Sequence, residues 1–452
     1  MTTHILPCAA ALTLILISPA AGADPPSDEL TAEVALARAD AALAESAWTT
    51  AVDPKPLSEV ALGGIDWLVE QQRPDGGWSQ GEESASMGAA GSDRSNVGDT
   101  CAAALALVRA GSTPSVGPHP QSVLAAVDFL CTRIETSDPD SLSVTDVQGT
   151  RLQAKLGPHV DTFLACLLLS EIQGRMPEPS GDARIAAALT TVVGKIQEHQ
   201  RADGTWDDRG WAPALSRSVA AKGLNRASQG GQYVAGDVMA KITTRVQEQV
   251  GEDGITLTGR GSAGVALYEA ASVVSTLSDD ANSDALRKQE LLASLAGADE
   301  GGRKAIESEL ADIEADREAS ASARGAVVDR LDDAAFLAGF GSNGGEEFLS
   351  YMNISEGLVV EGGEAWRDWD EQITANLERI QNADGSWSGH HCITGRTFCT
   401  STALLVLMAD RTPVPVTEAQ EEGAIETSEE PAVDEDEPEE ASPTESDDAE
   451  EG

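Results

Sequence analysis

The chain has 452 residues, with 76 acidic against 30 basic side chains and a formal net charge of −46. That balance excludes a nucleic-acid partner, because phosphates are held by clustered Lys and Arg, and it excludes docking on an anionic membrane surface for the same reason. Solubility is the plain reading of so acidic a surface, and an aromatic content of 4% leaves little to line a large aromatic cavity.

In chain order, residues 1–23 read as a secretory signal. Residues 9–17 are almost entirely apolar, and Ala21-Gly22-Ala23 fits the small-x-small cleavage pattern. The apolar run is too short to span a membrane, and Cys8 lies too early, behind Pro7, for a lipoprotein cysteine. The mature chain is expected to be exported, periplasmic or extracellular, with no integral membrane span. Residues 24–56 read as a linker with a short Ala-rich helix at 29–45. Apolar residues then recur at helical spacing, predicting helices at 57–72, 98–110, 119–135, 159–173, 181–200, 212–225, 232–250, 262–277, 325–340, 344–360, 364–381 and 396–409. Strand-like alternation is nearly absent, so the class is all-α, and twelve helices pair into six hairpins over 57–410. Segments 100–107, 162–169 and 402–407 are small and apolar all round, as interior helices are. Residues 278–324 are dense in Asp, Glu, Arg and Ala. They predict an inserted antiparallel helical hairpin, coiled-coil-like, with Gly301-Gly302 near its middle, which serves as a solvated spacer or as a docking arm for a protein partner. Residues 411–452 form an acidic tail. From Thr412 onward it has 17 acidic residues and no Lys or Arg, a composition that stays disordered and offers a second route to a cation or basic partner.

One phrase occurs three times: Gln72-Arg73-Pro74-Asp75-Gly76-Gly77-Trp78, Gln200-Arg201-Ala202-Asp203-Gly204-Thr205-Trp206 and Gln381-Asn382-Ala383-Asp384-Gly385-Ser386-Trp387. Each copy ends an apolar helical stretch. The Gln closes the helix, Asp-Gly makes a turn that needs positive φ, and the Trp folds back over the helix end. Repeats of this kind imply stacked supersecondary units. The phrase resembles the QW repeat of squalene and terpenoid cyclases and the related repeat of protein prenyltransferases. The resemblance covers roughly residues 57–410 and implies an α6/α6 toroid, an inner and an outer ring of helices around a central cavity.

In such a toroid the loops that open the inner helices converge on one cavity mouth. Asp99, Cys101, His159, Asp161, Glu346, Glu347, His390, His391, Cys392 and Cys399 all stand at such positions. The resemblance to prenyltransferases implies zinc held by an Asp-x-Cys pair and a later His, which Asp99, Cys101 and His390 or His391 match. Three protein ligands and an open position are what a catalytic zinc takes. Asp99, Glu346 and His391 are the catalytic candidates, with Glu346 and Asp99 or Asp161 as a carboxylate pair of the kind glycan-acting toroids use. His159, Asp161, Arg217, Asn343 and Glu347 are the candidate ligand contacts, Asn343 and Glu347 within the Gly-rich stretch 339–348. Helix N-capping is the structural alternative for Asp99 and Asp161, and surface pairing for Arg217 and Lys222. Cys392 and Cys399, close in sequence and exported, are equally candidates for a disulfide. The cyclase acid Asp-x-Asp-Asp is absent. The nearest run, Asp329-Arg330-Leu331-Asp332-Asp333, has the wrong spacing and falls in an expected outer helix. These features leave three expectations open. One is a binding protein with its site at the mouth, for a small molecule, isoprenoid or glycan. The second is a zinc-dependent prenyltransferase-like, transferase or lyase enzyme. The third is a polysaccharide-acting toroid.

Overall fold

A computed structural model describes residues 48–207, 209–251, 254–255, 263–339 and 342–417. The expected signal, the helix at 29–45, the tail beyond Thr417, and Phe340 and Gly341 of the Gly-rich stretch lie outside the described residues.

The described chain is mainly helical. Twelve helices carry it: α1 (Glu59–Gln71), α2 (Val97–Arg109), α3 (Pro120–Glu135), α4 (Val160–Ile172), α5 (Pro179–Glu198), α6 (Pro213–Gln229), α7 (Gly236–Gln247), α8 (Ala263–Leu295), α9 (Glu300–Val328), α10 (Gly345–Val359), α11 (Gly363–Ile380) and α12 (Arg396–Leu407). Short helical turns at Glu82–Ser86 and Arg151–Lys155 were not expected, and a third lies at Ala334–Leu337. The even-numbered helices pack in a cycle: α2 on α4, α4 on α6, α6 on α8, α8 on α10, α10 on α12, and α12 back on α2. The odd-numbered helices flank them, α1 on α12 and α2, α3 on α2, α5 on α4, α7 and α9 on α8, and α11 on α10. Sequence explains the division. Every residue of α2, α4 and α10 is buried, whereas α11 buries one stripe, Trp366, Trp369, Ile373 and Leu377, as an amphipathic helix does.

The repeated phrase is the joint between successive outer helices. In each copy the Trp indole N–H donates to a carbonyl ten residues earlier: Trp78 to Leu68, Trp206 to Ile196, Trp387 to Leu377, at 2.7–2.9 Å. The Gln side chain then reaches the next outer helix, Gln72 to Ser122 O, Gln200 to Val238 O and Gln381 to Val60 O. The last of these bonds ties the end of the chain back to its first helix. The central glycines Gly76, Gly204 and Gly385 have φ of 79–87°, where a side chain is strained. A Cβ there would also stand 2.4–2.7 Å from a carbonyl oxygen of the neighbouring outer helix.

The ends of the described chain also meet. Strand β1 (Trp48–Thr50) pairs antiparallel with a strand at Pro413–Pro415, in the register Trp48–Pro415 and Thr50–Pro413.

Four boundaries differ from expectation. The helix expected to stop at 277 runs on to Leu295, because Ser278, Asp279, Asp280 and Asn282 are buried rather than solvated. The hairpin turn falls at 296–299. Gly301 and Gly302 instead lie in the first turn of α9, where Asp299 accepts from Gly302 N at 2.7 Å as the N-cap. The helix expected at 325–340 is the end of α9 plus the turn Ala334–Leu337. The run 329–333 therefore links two helices instead of riding on an outer one.

Late residues of the even helices form a buried ion network. Arg109 donates to both oxygens of Glu171 at 2.9 and 2.5 Å, and to Glu356 at 2.9 Å and Thr412 at 2.8 Å. Lys222 pairs with Asp279 at 3.0 Å and Glu356 at 2.9 Å. Arg226 lies 3.7 Å from Asp279 and under the Trp48 ring. Lys222, 1% exposed, is therefore not the surface pair expected. Burial pushes the Glu356 carboxyl up, but the Lys222 and Arg109 charges outweigh it and hold it at about 2. We call this end of the helix cycle the base and the opposite end, where the even helices begin, the mouth.

Candidate functional site

At the mouth, the loop 389–395 lies against the start of α10. Gly345 N donates to Ile393 O at 2.9 Å, Ile393 N to a Glu346 oxygen at 3.2 Å, and His390 N to Asn343 O at 2.7 Å. A Cβ on Gly345 would stand 2.5 Å from Ile393, so the Gly-rich stretch does permit the close approach its sequence suggests. Between His391 and Ile393, Cys392 adopts φ 52°, the one positive φ at a non-glycine among the described residues. The Arg151 guanidinium, donating to Cys392 O at 2.7 Å, holds this strained turn in place.

The turn aims both its flanking residues at a carboxylate pair. Glu346 and Glu347 are each fully buried. Glu347 accepts from Tyr268 Oη at 2.7 Å and from Gly344 N at 2.8 Å, and His391 Nε2 lies 3.5 Å from it while meeting Ser342 O at 2.6 Å. Glu346 has one oxygen on Ile393 N and the other, Oε1, without a hydrogen-bond partner. Burial pushes Glu346 up to about 7.

Asp99 and Asp161 lie in the first turns of α2 and α4, at the same end of the helix cycle. The N-cap of α2 is Asn96, which accepts from Asp99 N, so Asp99 is not the capping residue the sequence offered. Its Oδ2 accepts from Asn96 at 2.8 Å and its Oδ1 has no partner. Burial raises its carboxyl to about 7, the Asn96 bond opposing. Asp161 caps no helix of its own either. It reaches across to accept from Gly98 N of α2 at 2.8 Å and from Gln153 at 2.6 Å, and burial raises it to about 6. The buried Cys399 thiol links the two groups, since burial first, then Glu346 and Asp99, push it far up.

Other expected members lie elsewhere. Cys101, two residues from Asp99 on the same helix, faces away, since positions two apart do not share a helix face. Its electrostatic neighbours are Asp161 and Cys131 of α3. His390 lines a groove of about 470 Å³ between α10 and α11 with Asn343, Leu337, Tyr351, Trp369 and Ile373. Asp99, Cys101 and His390 therefore do not form the expected metal set. Among the described residues the one group of three whose ligand atoms come within 4.8 Å of one another is Glu346, Glu347 and His391. His159 sits with Asp207, where burial lowers its imidazole. Arg217, in the second turn of α6, lies between α6, α7 and α8 beside Ile242 and Ser272. Cys392 and Cys399 are free thiols. Cys399 is fixed inside the first turn of α12 with its Sγ toward Ile393 O at 3.7 Å, so nearness in sequence does not produce the disulfide. The sequence reading missed Tyr268, Arg151 and Gln153. Tyr268 carried a signal, being one of three tyrosines in the chain.

No known protein family matches this chain, and no curated protein matches it either.

Proposed function

We propose that this is an exported α6/α6-toroid protein, similar to the cyclase and prenyltransferase repeat proteins, that binds an isoprenoid-like small molecule at the mouth and does not cyclise it. The observation that carries the reading is the filling of the helix cycle. Asn353 of α10 donates to Ser218 of α6 at 2.8 Å, and Arg109 and Lys222 both reach Glu356, so polar bridges run between helices that are not successive in the cycle. A polycyclisation chamber needs that space. The room at the mouth is the groove beside His390, whose wall combines apolar and aromatic residues (Leu337, Tyr351, Trp369, Ile373) with polar ones (Ser342, Asn343, Gln372, Asn376, Arg379, His390). Its volume and lining suit one small ligand. The two readings with enzymatic chemistry are less well supported. The carboxylate pair expected of a polysaccharide-acting toroid, Glu346 with Asp99 or Asp161, draws on three fully buried residues, out of reach of a polymer.

The test is binding of farnesol, farnesyl diphosphate and a xylo-oligosaccharide to the mature chain, followed by thermal shift and Trp fluorescence, with product analysis. Farnesol is expected to raise the melting temperature and perturb Trp369, with the response lost in Trp369→Leu and no product formed. Product from farnesyl diphosphate would establish an enzyme instead. A response to the oligosaccharide alone, or to none of the three, would remove the isoprenoid reading.

A further inference from the structure

We propose that Glu346, Glu347 and His391 bind one divalent first-row metal ion, of which Zn²⁺ fits the ligand set best. The inference rests on the reading of the mouth as the ligand-binding end and adds an inorganic component to it. The ligand atoms of the three residues lie within 4.8 Å of one another, close enough that small side-chain rotations bring each to the roughly 2.0–2.2 Å at which a single ion is held. Imidazole together with carboxylate oxygen selects Zn²⁺ and its neighbours over Ca²⁺ or Mg²⁺, which take oxygen alone.

Three features distinguish this group from an ordinary acidic cluster. Glu346 is fully buried, yet its Oε1 has no hydrogen-bond partner, and an orphaned buried acceptor calls for an explanation. No Lys or Arg ion pair to either glutamate is present among the described residues, in contrast to Glu171 and Glu356 at the base. The second carboxylate is already oriented by Tyr268 Oη and Gly344 N, and His391 Nε2, which faces Glu347 at 3.5 Å, would exchange its bond to Ser342 O for the ion. Such outer hydrogen bonds fix metal ligands before the ion arrives. Three protein ligands leave a fourth position, and His391, only half-buried, marks the side from which an ion and a ligand approach.

The experiment uses the mature full-length chain purified without chelator. Metal content is measured by elemental analysis, and the stripped protein is titrated with Co²⁺ while its visible spectrum is recorded. We expect about one ion per chain and a tetrahedral cobalt spectrum with no thiolate charge-transfer band. Both should be lost in His391→Ala and Glu346→Gln and retained in Cys101→Ala. Tyr268→Phe, which keeps the ring, should weaken binding about 10-fold. His391 is on a partly exposed loop, so retained helical circular dichroism in His391→Ala separates loss of metal from loss of fold. Absence of metal together with no cobalt spectrum at saturating Co²⁺ overturns the proposal, as does a spectrum unchanged by His391→Ala. A thiolate band that disappears in Cys101→Ala overturns it in favour of the Asp99-Cys101 set. Farnesol binding by a chain that takes no metal would defeat this inference alone, whereas failure of both would defeat the reading of the mouth as well.

Discussion

The base and the mouth of the helix cycle bury the same kind of group and treat it in opposite ways. At the base, Glu171, Glu356 and Asp279 are matched by Arg109, Lys222 and Arg226. Asp280, which burial raises to about 7, has a donor on each oxygen, from Asn225 and Thr243. At the mouth, Asp99, Asp161 and Glu346 are raised to between about 6 and about 7, and Asp99 and Glu346 each keep an oxygen without a donor. A buried carboxylate matched by a cation is part of the scaffold. A buried carboxyl with no cation beside it and an open oxygen is poised for something else to bind. The difference lies in the partners and not in the residue type.

The largest expected effect breaks the base. Arg109→Met strands Glu171 without its cation, leaves Glu356 with Lys222 alone, and should cost about 3–5 kcal/mol in urea denaturation. A loss under about 1 kcal/mol would mean the network is not structural. Next comes the pH profile, in which the two ends act with opposite sign. Asp99 and Asp161 have folded-state values above their unfolded ones, so their contribution is full below about pH 4 and is lost as pH rises through their folded values of about 7 and about 6. Glu356, held at about 2, contributes fully above about pH 4.3 and loses that contribution as pH falls toward 2. Asp99→Asn should therefore flatten the high-pH limb by about 2 kcal/mol and leave the acid limb in place. An unchanged high-pH limb would mean that Asp99 is ionised in the fold. A smaller effect sharpens the contrast in strain: Cys392→Gly should stabilise the chain by about 0.5–1 kcal/mol, because glycine accepts φ 52° freely. The smallest readout is chemical. A thiol count on the unfolded, unreduced protein from residue 24 onward should find Cys101, Cys131, Cys166, Cys392 and Cys399 all free, with half-exposed Cys392 alone reacting in the folded protein. Two fewer thiols would restore the Cys392–Cys399 bridge.

The helical class and the Trp phrase were legible because their physics is local. An Asp-Gly turn and an indole reaching a carbonyl ten residues back lie within one short segment, and α1 through α7 fall within a few residues of the expected positions. The base network was illegible for the opposite reason. Arg109 meets Glu171 and Glu356 across 62 and 247 residues of chain, and each alone looks like a charge on a solvated helix face. The site was half legible. Clustering of Asp99, Asp161, Glu346, Glu347 and His391 near helix starts could be anticipated from helix order, but which side chains converge depends on helix phase. Phase turns Cys101 toward α3, and the loop 389–395 turns His390 into the groove. The glycine pair 301–302 misled because glycine punctuates sequence wherever it occurs, whereas the turn was set by Asp299 capping the next helix.

The pairing of Trp48–Thr50 with Pro413–Pro415 makes the fold indifferent to where its chain begins. With the first and last strands hydrogen-bonded side by side, and Gln381 already bonded to Val60, a short linker joining them would leave every described contact in place. New termini could then be opened at the turn 296–299, which lies far from both base and mouth in sequence and is largely exposed. Such a circular permutant should fold to the same helix cycle, because contacts around a closed ring do not record the order in which the chain was written.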